Sequence, residues 1–167
     1  MISSGNGFPR VSVIIPHWNR IEILSDCLDS LKKSTYPNLE IVVVDNASTD
    51  GSPDWVAENH PHVNLVRCSE NHGYAGGCNR GAAEASGEFL LFLNNDTVQE
   101  PEWIEPLIDA LKADESVAAV QPKILNYFER NKFDYAGGAG GVPAKAADRG
   151  ARTRPQGRFS TSLARDL

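Results

Sequence analysis

Long apolar runs are missing from this 167-residue chain. Nothing approaches the roughly 18 consecutive apolar residues that a membrane-spanning helix needs, and the polar start Met1–Arg10 carries no signal-peptide core. The expected address is therefore the cytoplasm. Cysteine is scarce too: Cys27, Cys68 and Cys78 are odd in number, form no C-x-x-C pair and have no histidine at zinc spacing. That excludes a disulfide framework and a structural zinc site, and leaves three reduced, mostly buried small hydrophobes. Positive charge is also short, with 16 Lys+Arg against 22 Asp+Glu for a net −6. An acidic body lacks the basic face that phosphate contacts require, so nucleic acid is excluded as a partner. An acidic protein still binds a diphosphate when a divalent cation bridges the charges. What remains is ordinary globular composition, 41% apolar and 23% charged, at a length that suits one domain.

Four short segments rich in β-branched residues stand out: Val11–Ile15, Leu39–Val44, Val63–Val66 and Phe89–Leu93. They are nearly continuous apolar runs, as in strands buried on both faces. Between them, Leu24, Cys27, Leu28 and Leu31 fall at i, i+3, i+4 and i+7, the stripe of an amphipathic helix. Ser52-Pro53-Asp54 reads as a second helix start with Ser52 as its cap. Pro101 opens a further helix with the stripe Ile104, Leu107, Ile108 and Leu111, and Val117–Val120 reads as a fifth strand. Alternation of this kind implies a mainly parallel sheet with helices on both faces, an α/β class in which ligands bind beyond the carboxyl ends of the strands.

Those ends are polar. The first strand runs into Pro16-His17-Trp18-Asn19-Arg20, the second into Asp45-Asn46-Ala47-Ser48-Thr49-Asp50-Gly51-Ser52, the fourth into Asn94-Asn95-Asp96-Thr97. Turns and caps use such residues anyway, but three polar ends on one edge, with an acid directly after two strands, point to a ligand site. After the third strand, Asn71-His72-Gly73-Tyr74-Ala75-Gly76-Gly77-Cys78-Asn79-Arg80-Gly81 offers glycines where backbone amides can approach a ligand, and small residues for close helix packing. A dinucleotide fingerprint needs its glycines after the first strand, so an oxidoreductase of that type is not indicated. Trp18 and Trp103 are expected to pack in the core or at its edge, Tyr74 to pack within its loop, and His60, His62 and His72 to lie at the surface.

The ordered set Val13-Ile14-Ile15-Pro16 with Asn19-Arg20, Val43-Val44-Asp45 through Ser52, Asn71 to Gly81, and Phe92-Leu93-Asn94-Asn95-Asp96 resembles the family 2 glycosyltransferases of the GT-A fold, and among them the rhamnosyltransferase-like enzymes of bacterial cell-surface polysaccharide synthesis. The resemblance spans about Val11 to Gly141. It implies a UDP- or dTDP-linked sugar donor, a glycan or lipid-linked acceptor, transfer with inversion, and work at the inner face of the plasma membrane as a peripheral protein. It also implies that Asp45 accepts the N3–H of a uracil or thymine ring, that Pro16, Asn19 and Arg20 lie beside base and ribose, and that Asp50 and Arg80 lie near the nucleotide. Asp96 matches the last acid of the DXD motif, which holds Mg²⁺ or Mn²⁺ against the donor diphosphate. A cation is also physically required there, because Asp45, Asp50 and Asp96 make the edge anionic; bound, it would act as a Lewis acid on the leaving diphosphate. His17, Asn46, Gly73, Asn79 and Asn95 stand in the same motifs and complete the candidate binding set. Asn94 replaces the first acid of DXD, and a neutral amide is a weaker ligand for a hard cation; its expected part is to contact the sugar or orient Asp96.

Three segments are expected: a flexible start at 1–10, the nucleotide-sugar-binding domain at 11–141, and a loose tail at 142–167. The tail holds six Lys or Arg against two Asp, leaving −10 for the rest of the chain, and has too few large apolar residues to order itself. No acid in the tail stands in the context of a general base, so the chain is expected to be a truncated or frame-altered product, with a partner chain supplying the acceptor half as the alternative, and to bind donor without efficient transfer.

Overall fold

The computed structural model describes residues 7–135 and 162–165. Its elements are β1 (Val11–His17), α1 (Ile21–Leu31), β2 (Leu39–Asp45), α2 (Ser52–Asn59), β3 (Asn64–Arg67), α3 (Gly73–Glu84), β4 (Phe89–Phe92), α4 (Glu105–Ala113), β5 (Ala119–Val120), β6 (Ile124–Leu125), β7 (Phe133–Tyr135) and β8 (Ser162–Arg165). Every residue of β1 is buried, which is why its sequence is almost unbrokenly apolar. It pairs in parallel with β2 on one side, from Val11 opposite Leu39 to His17 opposite Asp45, and with β4 on the other. Strand β3 continues the parallel array beyond β2.

Alternate residues of the strands enter two separate cores, as a side-chain period of two requires. Val11, Val13, Ile15, Ile41, Val43, Phe89 and Leu91 face one side, where α1 contributes Leu24, Cys27, Leu28 and Leu31, α2 contributes Val56, and α4 contributes Leu107, Ile108 and Leu111. Ile14, Val42 and Val44 face the other side and meet α3 through Ala82, with Ala85 just beyond it. Helices thus cover both faces, three on one and α3 on the other. That lone helix lies close to the sheet because a Cβ at Gly81 would be driven into Ile14 Cγ2 and would stand 3.0 Å from Val44 Cγ2.

The sheet order is β3-β2-β1-β4-β8-β5. The chain winds outward from β1 to β3 and then returns to place β4 on the opposite flank of β1. The switch point therefore lies between the carboxyl ends of β1 and β4, where open α/β sheets bind ligands.

Several boundaries differ from the sequence reading. The fifth strand is only Ala119–Val120 and does not touch β4; Ser162–Arg165, in the segment expected to be a loose tail, lies between them and pairs antiparallel with both. The flank of β4 away from β1 presents unpaired backbone groups, and any extended segment can satisfy them whatever its side chains. The rest of the expected tail, 142–161 and 166–167, lies outside the described residues. Residues 7–10, expected to be flexible, are pinned: Asn38 Nδ2 donates to Phe8 O at 3.0 Å, Tyr36 Oη to Pro9 O at 2.7 Å, and Arg10 pairs with Glu40. Pro101 sits in a turn, and α4 opens four residues later with Pro106 in its first turn.

Replacing Gly81 with Val should lower the unfolding free energy by about 1–3 kcal/mol through overpacking against β1 and β2. Urea unfolding of the variant beside the unsubstituted chain measures it, and an unchanged midpoint would contradict the packing described.

Candidate functional site

The edge formed by the carboxyl ends of β1 and β2 is built by two loops bonded to each other. Asn46 N–H donates to His17 O at 2.8 Å, Asn19 N–H to Ser48 Oγ at 2.8 Å, and Thr49 N–H to Asn19 Oδ1 at 2.8 Å. Asn19, Arg20 and Ala47 all take left-handed backbone angles, at φ 56°, 66° and 60°. Such residues cost on the order of 1 kcal/mol each or more, and they persist here because the cross-loop hydrogen bonds, about 1 kcal/mol apiece, over-determine the geometry.

Asp50 starts both adjoining helices. Its Oδ2 accepts the Ile21 N–H at the head of α1 at 3.1 Å, and its Oδ1 accepts the Ser52 N–H at 3.0 Å and the Ser52 hydroxyl. Ser52 is thus inside α2 and buried, and the cap expected of it is supplied by Asp50, whose carboxylate reaches two orphan amides at once. Burial works to raise Asp50, but the hydrogen bonds from Ser52 and Ile21 outweigh it and hold the carboxyl below its ordinary range. Asp45 is buried at the end of β2 and accepts the Ser48 N–H at 3.3 Å.

Across the switch point, His17 Nδ1 and Asn95 Nδ2 are 2.9 Å apart. Burial lowers His17 below its ordinary value despite the opposing charges of Asp45 and Asp50, so the ring is neutral near pH 7. The Asn94–Gln99 turn is held from behind by α1: Ser30 Oγ donates to Gln99 Oε1 at 2.8 Å and accepts the Gln99 N–H at 3.1 Å. Gln99 Nε2 donates to Thr97 Oγ1 at 2.7 Å, and Thr97 Oγ1 donates to Asn94 O at 2.8 Å. This relay seats the turn that carries Asp96.

A cavity of about 270 Å³ opens here, lined by Pro16, His17, Trp18, Asn46, Asn71, Gly73, Tyr74 and Asn95. A larger one, about 370 Å³, lies at the opposite edge of the sheet between Phe8, Tyr36 and α4. Helix α3 starts at the first cavity: Gly73 has φ 69°, its amide donates to Asn71 Oδ1 at 2.8 Å, and its carbonyl accepts from Asn46 Nδ2 at 3.3 Å. The glycine-rich segment is thus a helix from Gly73 onward rather than a loop. Gly77 lies against the strand ends, where a Cβ would stand 2.9 Å from Pro16 Cβ.

Of the residues expected at a site, Pro16, His17, Asn46, Gly73 and Asn95 line the cavity. Asn19 and Asp50 are engaged in the loop bonds, Arg20 caps α1, and Asn79 and Arg80 lie exposed on α3. Asn94 and Asp96 follow β4, both partly exposed. Trp18 and Tyr74 depart from their expected packing: they are 56% and 52% exposed and form the cavity wall. Their positions, directly after β1 and in the first turn of α3, were the signal for this, but aromatic residues that pack and those that wait for a ligand look alike in sequence. Trp103 packs against the core as expected, whereas His60, expected at the surface, is buried with its ring 4.9 Å from that of Trp55.

Among the described residues no cluster of three or more His, Cys, Asp or Glu could enclose a metal. Asp96 is a single carboxylate in the turn after β4, and Mg²⁺ held by one or two carboxylates draws its other ligands from substrate phosphates and water.

Residues 12–155 match the model of glycosyl transferase family 2. The chain belongs to that family. The match runs past Gly141, where the motif resemblance was expected to stop. Relatives in the family include the O-antigen biosynthesis protein RfbC of Myxococcus xanthus, 37% identical over 135 residues that make up 78% of this chain and 10% of that protein. Glycosyltransferase GlyA of Streptococcus pneumoniae serotype 4 is 33% identical over 127 residues, 75% of this chain and 18% of the relative. Among solved structures, the mannosyltransferase PcManGT of Pyrobaculum calidifontis, in complex with GDP-Man and Mn²⁺, superposes with a TM-score of 0.65 at 34% identity, over 72% of this chain and 36% of that one. Residues 1–349 of S. aureus TarS in complex with UDP-GlcNAc superpose with a TM-score of 0.60 at 27% identity, over 69% of this chain and 34% of that one. The fold is therefore the GT-A sheet, and the chain spans between a tenth and about a third of the length of these proteins.

Two measurements bear on the site's architecture. Asp50→Ala should destabilise the protein by about 1–2 kcal/mol, because two helix starts lose one acceptor; a loss near zero in chemical denaturation would mean that the double cap contributes nothing. His17 and His60 are both lowered by burial. The unfolded chain therefore takes up protons before the folded one does, and stability should fall as pH drops below 6.5, the ordinary histidine value. Thermal melts between about pH 7 and pH 5 read the slope, which should flatten in a His60→Phe variant.

Proposed function

We propose that this chain is the donor-binding part of a glycosyltransferase that takes a nucleotide-diphosphate sugar and, within the complete enzyme, passes the sugar with inversion to a cell-surface glycan or lipid-linked acceptor. The observation that carries the reading is the polar cavity at the β1/β4 switch point, bounded by Asn95 from the Asn94-Asn95-Asp96 turn and by the first turn of α3. A helix start favours an anion, because its first amides lack partners and its dipole is positive there. The Gly73 amide is taken by Asn71 Oδ1, and no side chain of the N-cap residue, His72, closes the amides beyond it. In this reading Asp96 is the carboxylate that meets the metal, Mg²⁺ or Mn²⁺, and the bound cation neutralises the diphosphate and eases its departure. Asp45, Pro16, Asn19 and Arg20 serve the base and ribose, with a UDP- or dTDP-linked donor. The Mn²⁺ and GDP-Man of PcManGT and the UDP-GlcNAc of TarS support the ligand class. The name of RfbC supports a place in surface-polysaccharide synthesis, where a rhamnosyl donor remains our assignment.

A second reading, donor binding without transfer, is favoured by the cavity lining, which contains no carboxylate to serve as general base toward an acceptor hydroxyl. Among the described residues no helix is long and apolar enough to cross a membrane. We assign the protein to the cytoplasm, working at the inner face of the plasma membrane by peripheral attachment.

Calorimetric titration with UDP, dTDP and GDP, with and without Mn²⁺, tests the proposal. Binding should require the metal and should be lost, by about a hundredfold or more, in Asp96→Ala, since an anionic ligand then faces the site without its counter-charge. Metal-independent binding, or full binding by Asp96→Ala, would refute the assignment. Transfer of sugar by the purified chain would set aside the second reading.

A further inference from the structure

Strands β6 and β7 form a two-stranded sheet of their own, apart from the main sheet. A lone pair of strands is marginal in water unless something packs against it. Its apolar residues lie outside: Leu125 and Phe133 stand opposite each other in the register and are both exposed, and Phe128, in the connecting turn, is 88% exposed with its ring 5.2 Å from that of Tyr127. The turn has a fixed shape. Asn126 Oδ1 accepts the amide of Phe128 at 3.0 Å and that of Glu129 at 2.9 Å, and the Asn126 amide donates to Lys132 O at 2.9 Å. Phe128 is thus held in water by its own backbone. Cations stand among these rings: Lys123 Nζ lies 5.8 Å from the centre of the Phe133 ring, and Arg130 and Lys132 follow Phe128 in the turn. The charge of the chain divides at the same point. Residues 1–122 carry seven Lys or Arg against eighteen Asp or Glu, a net −11, whereas residues 123–167 carry nine against four, a net +5. Lys132 pairs with Glu129, and Arg130 Nη1 with Glu100 at 3.0 Å; exposed pairs of this kind contribute little and exchange readily for other anions. The second of them locates the hairpin, because Glu100 directly follows Gln99, which seats the turn that carries Asp96.

We propose that the β6–β7 hairpin attaches this chain to an anionic membrane surface, with Phe128, Tyr127 and the Leu125–Phe133 pair entering the interface and Lys123, Arg130 and Lys132 meeting the headgroups. The combination of side chains selects this partner. Aromatic rings settle where hydrocarbon meets headgroups, and cations beside them are drawn to the negative potential of an anionic leaflet. The acidic residues 1–122 are repelled by the same potential, so the domain approaches only by its basic part and arrives with one orientation. A few rings and cations give reversible attachment, not insertion. The contact between Arg130 and Glu100 then brings the turn of Asp96 close to the bilayer. That is where an acceptor carried on a lipid would be met. This use of the attachment rests on the donor-binding reading given above, whereas the attachment itself rests on the residues of the hairpin.

Flotation of the full chain with vesicles tests the attachment, using phosphatidylglycerol mixed with phosphatidylcholine on one side and phosphatidylcholine alone on the other. The chain should bind the anionic vesicles, leave the neutral ones, and come off as salt is raised. Phe128→Ala should weaken binding about tenfold, the effect of withdrawing one phenyl ring from the interface, and Phe128→Trp should keep it. Lys123→Gln and Lys132→Gln should each weaken it about fivefold, the worth of one cation near such a surface. Binding to neither kind of vesicle, or equally to both, overturns the proposal. Anionic binding that Phe128→Ala leaves unchanged also overturns it, because the basic stretch alone would then attract the vesicles. A dimer in sedimentation velocity that Phe128→Ala dissolves, with no vesicle binding, gives the patch to a second copy and overturns it as well. The substituted residues are exposed, so circular dichroism and melting temperature should match the unsubstituted chain, and Phe128→Trp guards against a loss caused by unfolding. The metal-dependent nucleotide titration is read separately and should be unaffected by Phe128→Ala. A chain that binds anionic vesicles through Phe128 and no nucleotide keeps the attachment and removes the donor-binding reading; one that binds nucleotide and no vesicles does the reverse.

Discussion

Hydrogen bonds between the loop after β1 and the loop after β2 decide where these strands stop and where the next helices begin. Asn19 receives and gives across the gap, to Ser48 and from Thr49, while Asp50 reaches over to take the amide of Ile21. The parallel register puts His17 beside Asp45, so the loops leave the sheet as neighbours and can share acceptors. The price of this closeness is three residues with left-handed backbones, which only a loop held from both sides sustains. Without those bonds α1 and α2 would each begin with unpaired amides, and the rim of the cavity would have no fixed shape.

The rest of the edge is seated by packing. Helix α3 can bring its first turn to the rim because glycine at 77 and 81 lets it lie against Pro16, Ile14 and Val44. The turn after β4 is held by Ser30 and Gln99 from the opposite face of the sheet. Three independent supports therefore converge on one cavity: the two bonded loops, a close-packed helix, and a turn tied to α1. The side chains that line it are mostly neutral amides and rings, and Asp96 stands just beyond them.

Much of this was legible in the chain itself. The four parallel strands, the stripes of α1 and α4, and the polar strand ends followed from residue type and spacing, because burial leaves a period that solvent exclusion imposes; β3, expected to be buried on both faces, is instead an edge strand with exposed and half-buried residues. Boundaries were less legible. Ser52 looked like a cap, yet Asp50 does that work, since its carboxylate reaches two helix starts that only the folded sheet makes adjacent. Gly81 packs the helix against the sheet as its small size suggested, whereas Gly77, read as a place for a ligand to approach, also serves helix packing. Trp18 and Tyr74 looked like packing residues, yet they are exposed at the cavity.

Sequence by itself determined the α/β class, the family, and which strand ends are polar, because these depend on local periodicity and on short motifs in order. Tertiary structure alone decided the switch point between β1 and β4, the insertion of Ser162–Arg165 beside β4, and the bond from His17 to Asn95. Those depend on which segments meet after the chain has crossed the sheet. His17 and Asn95 are 78 positions apart and become neighbours only because β4 returns to the open flank of β1.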